Sequence, residues 1–553
     1  MSMIEDLWYK NSIIYSLDLE TFLDADGDGV GDFEGLCRRL DYIQSLGVEA
    51  IWLNPFQRSP NRDNGYDISD YYSVDERHGS LGDFVQFMHQ AKSRGIRVLM
   101  DIVVNHTSDQ HPWFQRAISD PNSPYRDWYV WSDERPEDWD EGMVFPGVQE
   151  STWTYHDTAQ SHYFHRFYSF QPDLNIDNPR VREEIRRVFG FWLELGVAGF
   201  RMDAVPFVIE SVKARAGDGE PHFQYLSELR HFIQWRSGDA ILLGEANVAP
   251  DQTKQYLHGD GGGGLHMMFN FYVNQYMFYA LATGKVEPLR QALEATRDIP
   301  QVAQWANFLR NHDELDLGRL SDEDRQEVFE RLGPEEHMQL YGRGLRRRLA
   351  PMLGDRQRIE MANSLMLSLP GTPVIWAGDE IGMGENLDLP GRQSVRTPMQ
   401  WSDEAHGGFT LADQAFSPVI SDGEYSYQHV NVESQRRDRD SLLNWMTHMI
   451  RLRKECTELG WGSWTILELS HPHVLCMRYD WRGNSMVVAH NFSDQPMEIE
   501  IEPDTPGSQR LVNLLIEDGS YSENGVHRIA MEPFGYRWYR VGRFTCALHR
   551  DRV

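Results

Sequence analysis

Eight short apolar runs, separated by segments of helical periodicity, constrain this chain more than any other feature. They cover residues 13–17, 50–53, 98–104, 199–202, 241–244, 267–271, 305–309 and 372–376. Runs this short and apolar fit strands buried on both faces, and strands that alternate with helices build a parallel sheet. Eight such units before about residue 455 predict a (β/α)8 TIM barrel of the α/β class.

Three runs deliver directly into an acid: Asp203 in GFRMDAVPF, Glu245 in ILLGEAN and Asp313 in FLRNHDE. Carboxylates are seldom buried without a task or a partner. Chemistry in such a barrel gathers at the C-terminal strand ends, so the three acids are expected at one mouth. A trio there suits cleavage or transfer of a glycosidic bond. One carboxylate attacks the anomeric carbon, a protonated carboxyl donates to the leaving oxygen, and a third stabilises positive charge on the sugar. Two of them must have pKa values pushed apart by their surroundings. Any one alone could be an ion-pair partner or a helix cap; three in these contexts point to function.

With 553 residues the chain exceeds what one core usually organises, so accessory domains are expected. Residues 107–173 break the strand–helix rhythm with Trp, Pro, Asp and Ser in irregular order, and a loop that long inside a compact domain is usually functional. They predict an inserted domain over the mouth, leaving 1–106 and 174–459 to the barrel. A second interruption, 316–354, contains SDEDRQEVFERL, a helix with Ser321 as N-cap. From 460 to 553, alternating segments such as VLCMRYD, SMVVAHNF and YRWYRV predict a C-terminal antiparallel β-sandwich. The glycine run at 261–264 lacks a following Lys-Ser/Thr and fits a flexible loop.

The formal charge of −31 argues against nucleic acid as a partner, since phosphate binding needs clustered Lys and Arg. The basic cluster RGLRRRL fits a helix face paired with acidic neighbours. The acidic, Lys-poor composition fits salt adaptation and ordinary solubility equally well. Cys37, Cys456, Cys476 and Cys546 lack metal-ligand spacing and are expected as free thiols. The first residues show no basic start followed by an apolar core, and no stretch is long and apolar enough to cross a bilayer. A cytoplasmic protein without membrane contact is the expectation, and a homo-oligomer stays open.

DIVVNH (101–106), GFRMDAV (199–205), GEAN (244–247) and FLRNHDE (308–314), in this order, resemble the α-amylase superfamily, glycoside hydrolase family 13, over nearly the whole chain. The resemblance implies Asp203 as nucleophile, Glu245 as general acid/base and Asp313 as transition-state stabiliser. It implies His106, Arg201 and His312 around the reacting carbon. GYD (65–67) and SVRTPMQW (394–401) resemble relatives acting on short α-glucosides, in which the matching Tyr is a stacking platform and the matching Asp and Arg bind the non-reducing glucose. Here these are Tyr66, Asp67 and Arg396; a plain Asp67–Arg396 ion pair is the alternative.

NHTSDQHPWF, YVWSD, QPDLN, GLRRRLAP and GDEIGMG further resemble the branch that interconverts maltose and trehalose. That implies a disaccharide substrate and a retaining intramolecular transglucosylation without nucleotide or redox cofactor. An α-glucosidase or trehalose hydrolase on the same frame is the alternative. The chain departs from that branch in residues 211–229 and in DLETF (18–22), both near the mouth.

DADGDGVGD (24–32) places Asp24, Asp26, Asp28 and Asp32 around permissive glycines, a hard-oxygen cage suited to Ca²⁺; a solvated acidic turn is the alternative. An EF-hand would need Glu at loop position twelve, where Gly35 stands. The loop resembles the calcium loop of oligo-glucosidases, which adds the Val30 carbonyl as a ligand. The resemblance also suggests a second cation at Asn105, Asp173 and Glu210, pinning the insertion over the barrel.

Overall fold

A computed structural model of the chain describes residues 5–210, 220–258, 263–502, 510–516, 519–522 and 525–542. Eight parallel strands close into a barrel: β1 (Ile14–Leu17), β2 (Ala50–Leu53), β3 (Arg97–Ile102), β4 (Gly199–Met202), β5 (Ile241–Gly244), β6 (Met267–Phe269), β7 (Gln304–Phe308) and β8 (Thr372–Trp376). Every apolar run named from the sequence holds one of these strands, with ends shifted by at most two residues. The interior is a packed core of Ile14, Trp52, Leu99, Ile241, Leu243, Phe269 and Phe308, as a small barrel requires. Below it, the Tyr9 hydroxyl donates to the Val302 carbonyl at 2.5 Å and Lys10 Nζ to the Ala303 carbonyl at 2.6 Å, closing the base.

Two additions rise over the C-terminal ends of the strands. Between β3 and β4 the chain forms a helix (Pro112–Ser119) and a three-stranded antiparallel sheet of Trp131–Ser132, Ser161–Phe164 and Trp153–His156. A backbone bridge from His106 to Asp173 ties the two ends of this insertion together. After β7 come a small three-stranded sheet and the helix Asp322–Leu332, in which the Ser321 hydroxyl caps the Asp324 N–H at 3.1 Å.

The C-terminal region comprises β9 (Ser463–Ile466), β10 (Val474–Trp481), β11 (Asn484–Asn491), β12 (Met497–Ile501), β13 (Arg510–Asn513), β14 (Gly519–Tyr521), β15 (His527–Met531) and β16 (Tyr536–Val541). Six form one antiparallel sheet, ordered β9-β10-β11-β16-β13-β14, and β12 pairs with β15 in a second. Strand alternation divides the large sheet's residues. Val474, Cys476, Val487 and Leu511 meet Ile499, Ile501 and Ile529 of the small sheet, while Leu475, Met477, Tyr479 and Trp538 face the barrel's helices. The Trp538 indole N–H donates to Ser364 Oγ at 2.9 Å and the Tyr479 hydroxyl to the Ser368 carbonyl at 2.6 Å. Cys37, Cys456 and Cys476 are free thiols, and Cys546 lies outside the described residues. No helix among the described residues is long and apolar enough to cross a membrane.

The helix Leu442–Glu455, capped by Ser441, joins the barrel to this region. Its Arg453 is fully buried, donating from Nη1 to Asn11 Oδ1 at 2.7 Å and from Nη2 to the Gly371 carbonyl at 2.9 Å. Arg453→Met would leave the buried Gly371 carbonyl and the half-buried Asn11 side chain without this donor. A loss of about 2–4 kcal/mol of unfolding free energy is expected in urea titration. A change below about 0.5 kcal/mol, the ordinary size of a surface substitution, would contradict that role.

Candidate active site

Asp101 on β3 and Arg201 on β4 are register partners, so their side chains leave the sheet on the same face. Arg201 Nη1 donates to Asp101 Oδ1 at 2.8 Å and to Asp203 Oδ1 at 2.5 Å, and its Nη2 lies 3.0 Å from Glu245 Oε2. One buried guanidinium thus spans three carboxylates drawn from three adjacent strands. Ala204 sits in the left-handed region at φ 49°, an uncommon conformation outside glycine, and its N–H donates to Glu245 Oε2 at 3.0 Å. The sharp turn after Asp203 is therefore locked to the end of the next strand.

Asp313, after β7, has different neighbours. Its Oδ1 pairs with Arg392 Nη1 at 3.0 Å and Arg396 Nη2 at 2.9 Å, and its Oδ2 lies 3.3 Å from His312 Nε2. Burial alone would raise this carboxyl, but the guanidiniums of Arg392, Arg396 and Arg201 hold it well below the usual carboxylate range. Burial pushes Glu245 up to about 7, against the pull of Arg201 and reinforced by the charges of Asp203 and Asp313. Asp203 is raised by burial to about 6, Arg201 opposing. The three acids are thus separated by environment: Asp313 stays ionised, and Glu245 holds its proton longest.

The Tyr66 hydroxyl bridges Asp101 Oδ2 at 3.0 Å and His312 Nε2 at 2.8 Å, with the two rings stacked at a centroid distance of 5.7 Å. Gly65 makes this possible: it sits at φ 86°, and a Cβ there would stand 2.7 Å from the Pro55 carbonyl oxygen. Burial lowers the pKa of both His312 and His106, leaving each neutral. His106 Nε2 meets the Tyr66 carbonyl at 3.1 Å and its Nδ1 takes the Asn105 amide at 3.3 Å.

These groups surround a cavity of about 580 Å³, within the usual range for a small-molecule site. Asp203, Glu245, Asp313, Tyr66 and His106 line it. Arg201, His312 and Arg396 stand behind the lining and act through the carboxylates they hold. Two expectations need correction. Asp67 does not face the cavity: its fully buried carboxylate accepts the N–H groups of Asp63 at 3.0 Å and Arg62 at 3.2 Å and the Ser59 hydroxyl at 3.0 Å. Arg396 does not pair with it, being engaged by Asp313 and, from Nε at 2.7 Å, by the His312 carbonyl. The lining residues are instead Asp63, three positions before Tyr66, and Arg392, four before Arg396. Each lies two residues upstream of its quoted motif, and the loop conformations decide which acid and which arginine face inward. Asn247, Asp316 and Arg319 add a polar wall, with Asn247 Nδ2 donating to Asp316 Oδ2 and Arg319 Nε to Asn247 Oδ1, each at 3.0 Å. Of the divergent stretch 211–229, residues 211–219 lie outside the described residues, and Phe223 begins the helix that follows β4.

In the aspartate loop, carboxylate oxygens of Asp24, Asp26 and Asp28 lie within 4.8 Å of one another. Asp32 caps the following helix through the Gly35 N–H at 2.6 Å while accepting the Ala25 N–H at 2.8 Å. The Val30 N–H donates to Asp28 at 2.8 Å. At the base of the insertion, Asp173 Oδ1 accepts the Arg166 N–H at 2.9 Å, and Arg166 Nη2 binds Glu210 at 2.5 Å. Asn105 gives its carbonyl to the Leu174 N–H at 2.8 Å. A guanidinium and a backbone bridge thus tie the insertion to the barrel at this point.

The Glu245 carboxyl should titrate near pH 7, followed as a carboxyl infrared band that disappears in Glu245→Gln. Because its folded pKa lies above the unfolded value near 4.5, the folded state binds the extra proton. Its contribution to stability is therefore full below about pH 4.5 and lost as pH rises through about 7. A Glu245-dependent band titrating below pH 5 would contradict the burial argument.

The catalytic-domain profile of the α-amylase family matches residues 16–340 and 345–462, and a sucrose hydrolase-like C-terminal domain profile matches 483–540. The chain is 40% identical over 551 residues to a trehalose synthase of Thermus thermophilus, covering 99% of this chain and 57% of that one. It thus spans little more than half of that relative's length. It is 42% identical over 509 residues to a trehalose synthase/amylase of Mycolicibacterium smegmatis, covering 89% and 86%. Among solved structures, the trehalulose synthase of Pseudomonas mesoacidophila MX-45 superposes with a TM-score of 0.76 at 27% identity, covering 97% and 99%. With four fifths of its length inside the catalytic-domain profile, the chain belongs to the α-amylase family, glycoside hydrolase family 13.

Proposed function

We propose that this protein is a retaining α-glucoside enzyme that interconverts maltose and trehalose by moving one glucosyl unit within a closed site. The observation that carries the reading is the single Arg201 guanidinium holding Asp203 and Glu245 side by side, which favours the short carboxyl separation of roughly 5–5.5 Å found in retaining enzymes. Asp203 attacks the anomeric carbon and the glycosidic C–O bond breaks as Glu245 gives its proton to the leaving oxygen. The product is a β-glucosyl ester and a free glucose. The Glu245 carboxylate then takes the proton from the anomeric hydroxyl of that retained glucose, whose oxygen attacks the anomeric carbon of the glucosyl ester, breaking its bond to Asp203, releasing the carboxylate and forming trehalose. Asp313, ionised by its arginines, stabilises the positive charge that develops on the sugar in both steps. Tyr66, Asp63 and Arg392 hold the transferred ring. The names of the relatives at 40–42% identity support trehalose as one member of the pair.

Product analysis tests this. Purified protein given maltose should form mainly trehalose, with free glucose as a minor leak, and trehalose should return maltose. Conversion of either disaccharide wholly to glucose would replace the reading with that of an α-glucosidase.

The Asp24–Asp32 loop fits a structural Ca²⁺: three clustered carboxylates and permissive glycines offer hard oxygen donors at one point. Asp24, Asp26, Asp28 and Asp32, with the Val30 carbonyl, would hold the ion, which supplies charge neutralisation rather than chemistry. Asp26 is raised above its ordinary pKa by partial burial and by Asp28, Asp32 and Asp24 around it, so a cation would relieve mutual repulsion. A chelator should lower the melting temperature by a few degrees, and the Asp26→Ala, Asp28→Ala double variant should no longer respond. An unchanged melt, together with no ion in an anomalous map, would leave an acidic turn.

A further inference from the structure

The loop between residues 133 and 152 is largely exposed, yet Phe145 within it is only 3% exposed. Gln149 fixes its presentation by accepting the Val144 N–H at 2.8 Å and the Phe145 N–H at 2.7 Å. The same Gln149 amide donates to the Arg166 carbonyl at 3.1 Å, fastening the loop to the insertion. The Phe145 ring stacks on Tyr168 of the insertion at 4.9 Å and packs at a tilt of 32° against Tyr341 of the segment after β7 at 5.1 Å. Beneath it, the Arg392 guanidinium lies 5.0 Å from the ring centroid while pairing with Asp313. Arg343, from the segment after β7, donates to the Val144 carbonyl at 2.9 Å. Phe145 is thus the side chain at which the insertion, the segment after β7 and the arginine at the reacting centre meet, and it lines the cavity.

Resting on the maltose–trehalose reading, we propose that Phe145 is a specificity-determining residue that latches the roof of the cavity and so decides whether the glucosyl-enzyme is captured by the retained glucose or by water. Neither sheet of the barrel nor the catalytic trio distinguishes the two acceptors. A glucose cut free from the enzyme's own substrate can be recaptured only while no gap in the roof lets it leave or admits bulk water. Two aromatic contacts and one cation–π contact would bias the roof toward closure by about tenfold or more. Removing the ring opens the seam between the insertion and Tyr341 without touching Asp203, Glu245 or Asp313.

The test compares wild type, Phe145→Ala, Phe145→Tyr, Tyr341→Ala and the Phe145→Ala, Tyr341→Ala double variant on maltose. Each reaction contains isotopically labelled free glucose, and each variant is first checked for an intact melting transition. The glucose-to-trehalose ratio should rise about fivefold or more in Phe145→Ala and in Tyr341→Ala and stay near wild type in Phe145→Tyr. Label should enter the disaccharide product in the alanine variants far more than in wild type. Because the two rings form one contact, the double variant should leak no more than about the worse single variant. An unchanged ratio in a folded Phe145→Ala, or effects that multiply in the double variant, would overturn the latch while trehalose formation by wild type leaves the activity standing. Wild type that makes glucose and no trehalose would sink the activity and the latch together.

Discussion

A single desolvated cation organises this site. Arg201 is 1% exposed and reaches Asp101, Asp203 and Glu245 at once. Three carboxylates that close would repel one another strongly in a low-dielectric interior, and each would protonate and lose its distinct role. The guanidinium neutralises part of that repulsion, and its planar fork sets the angle between Asp203 and Glu245 as well as their charge. It cannot satisfy three anions equally, so one must retain its proton more readily. That residue is Glu245, which keeps 23% of its side chain open to the cavity and so stays accessible to the group it protonates. Asp313 is exempt from this competition because Arg392 and Arg396 serve it from the opposite side.

The barrel was legible in the sequence because strands buried on both faces leave an unmistakable pattern, and the acids because a charge at the end of such a strand has few reasons to be there. What escaped was whatever depends on loop geometry. Asp63 and Asp67 flank Tyr66 within five residues, but only Asp67 belongs to the GYD motif. The chain turns so that Asp67 collects backbone N–H groups and Asp63 faces the cavity, a choice made by positive-φ positions at Asn61, Asn64 and Gly65 that no periodicity announces. Arg392 and Arg396 pose the same ambiguity. In the C-terminal region, strands β9 and β14 were missed because they are short and half exposed, and β15 was missed although its burial alternates as regularly as that of β12, which stood out.

Among the described residues, the walls of the cavity come from several loops: Pro206 and Phe207 after β4, Phe145 and Val144 from the insertion, Asn247 from the end of β5, and Asp316, Arg319 and Arg343 from the segment after β7. The last three of these loops are joined by hydrogen bonds across them, Asn247 to Asp316, Arg319 to Asn247 and Arg343 to Val144. The far side of the cavity from Tyr66 is therefore an assembled surface, and a change in any one loop is felt by the other two.

That assembly matters because the reaction step itself is indifferent to the acceptor. A glucosyl ester on Asp203 yields equally to a water oxygen or a sugar hydroxyl brought up by Glu245, and bulk water outnumbers any free sugar. An acceptor held in line within a closed site, however, attains effective molarities on the order of 10⁵ M or more, well beyond the tens of molar available to water. Holding a glucose there needs polar groups for its hydroxyls and a roof that does not lift during one turnover. On the proposed activity, Asn247, Asp316 and Arg319 would provide the first, and the contact of Phe145 with Tyr341 and Arg392 the second. An ancestral hydrolase and an isomerase could therefore share every residue of the catalytic trio and differ only in how firmly two loops meet above it.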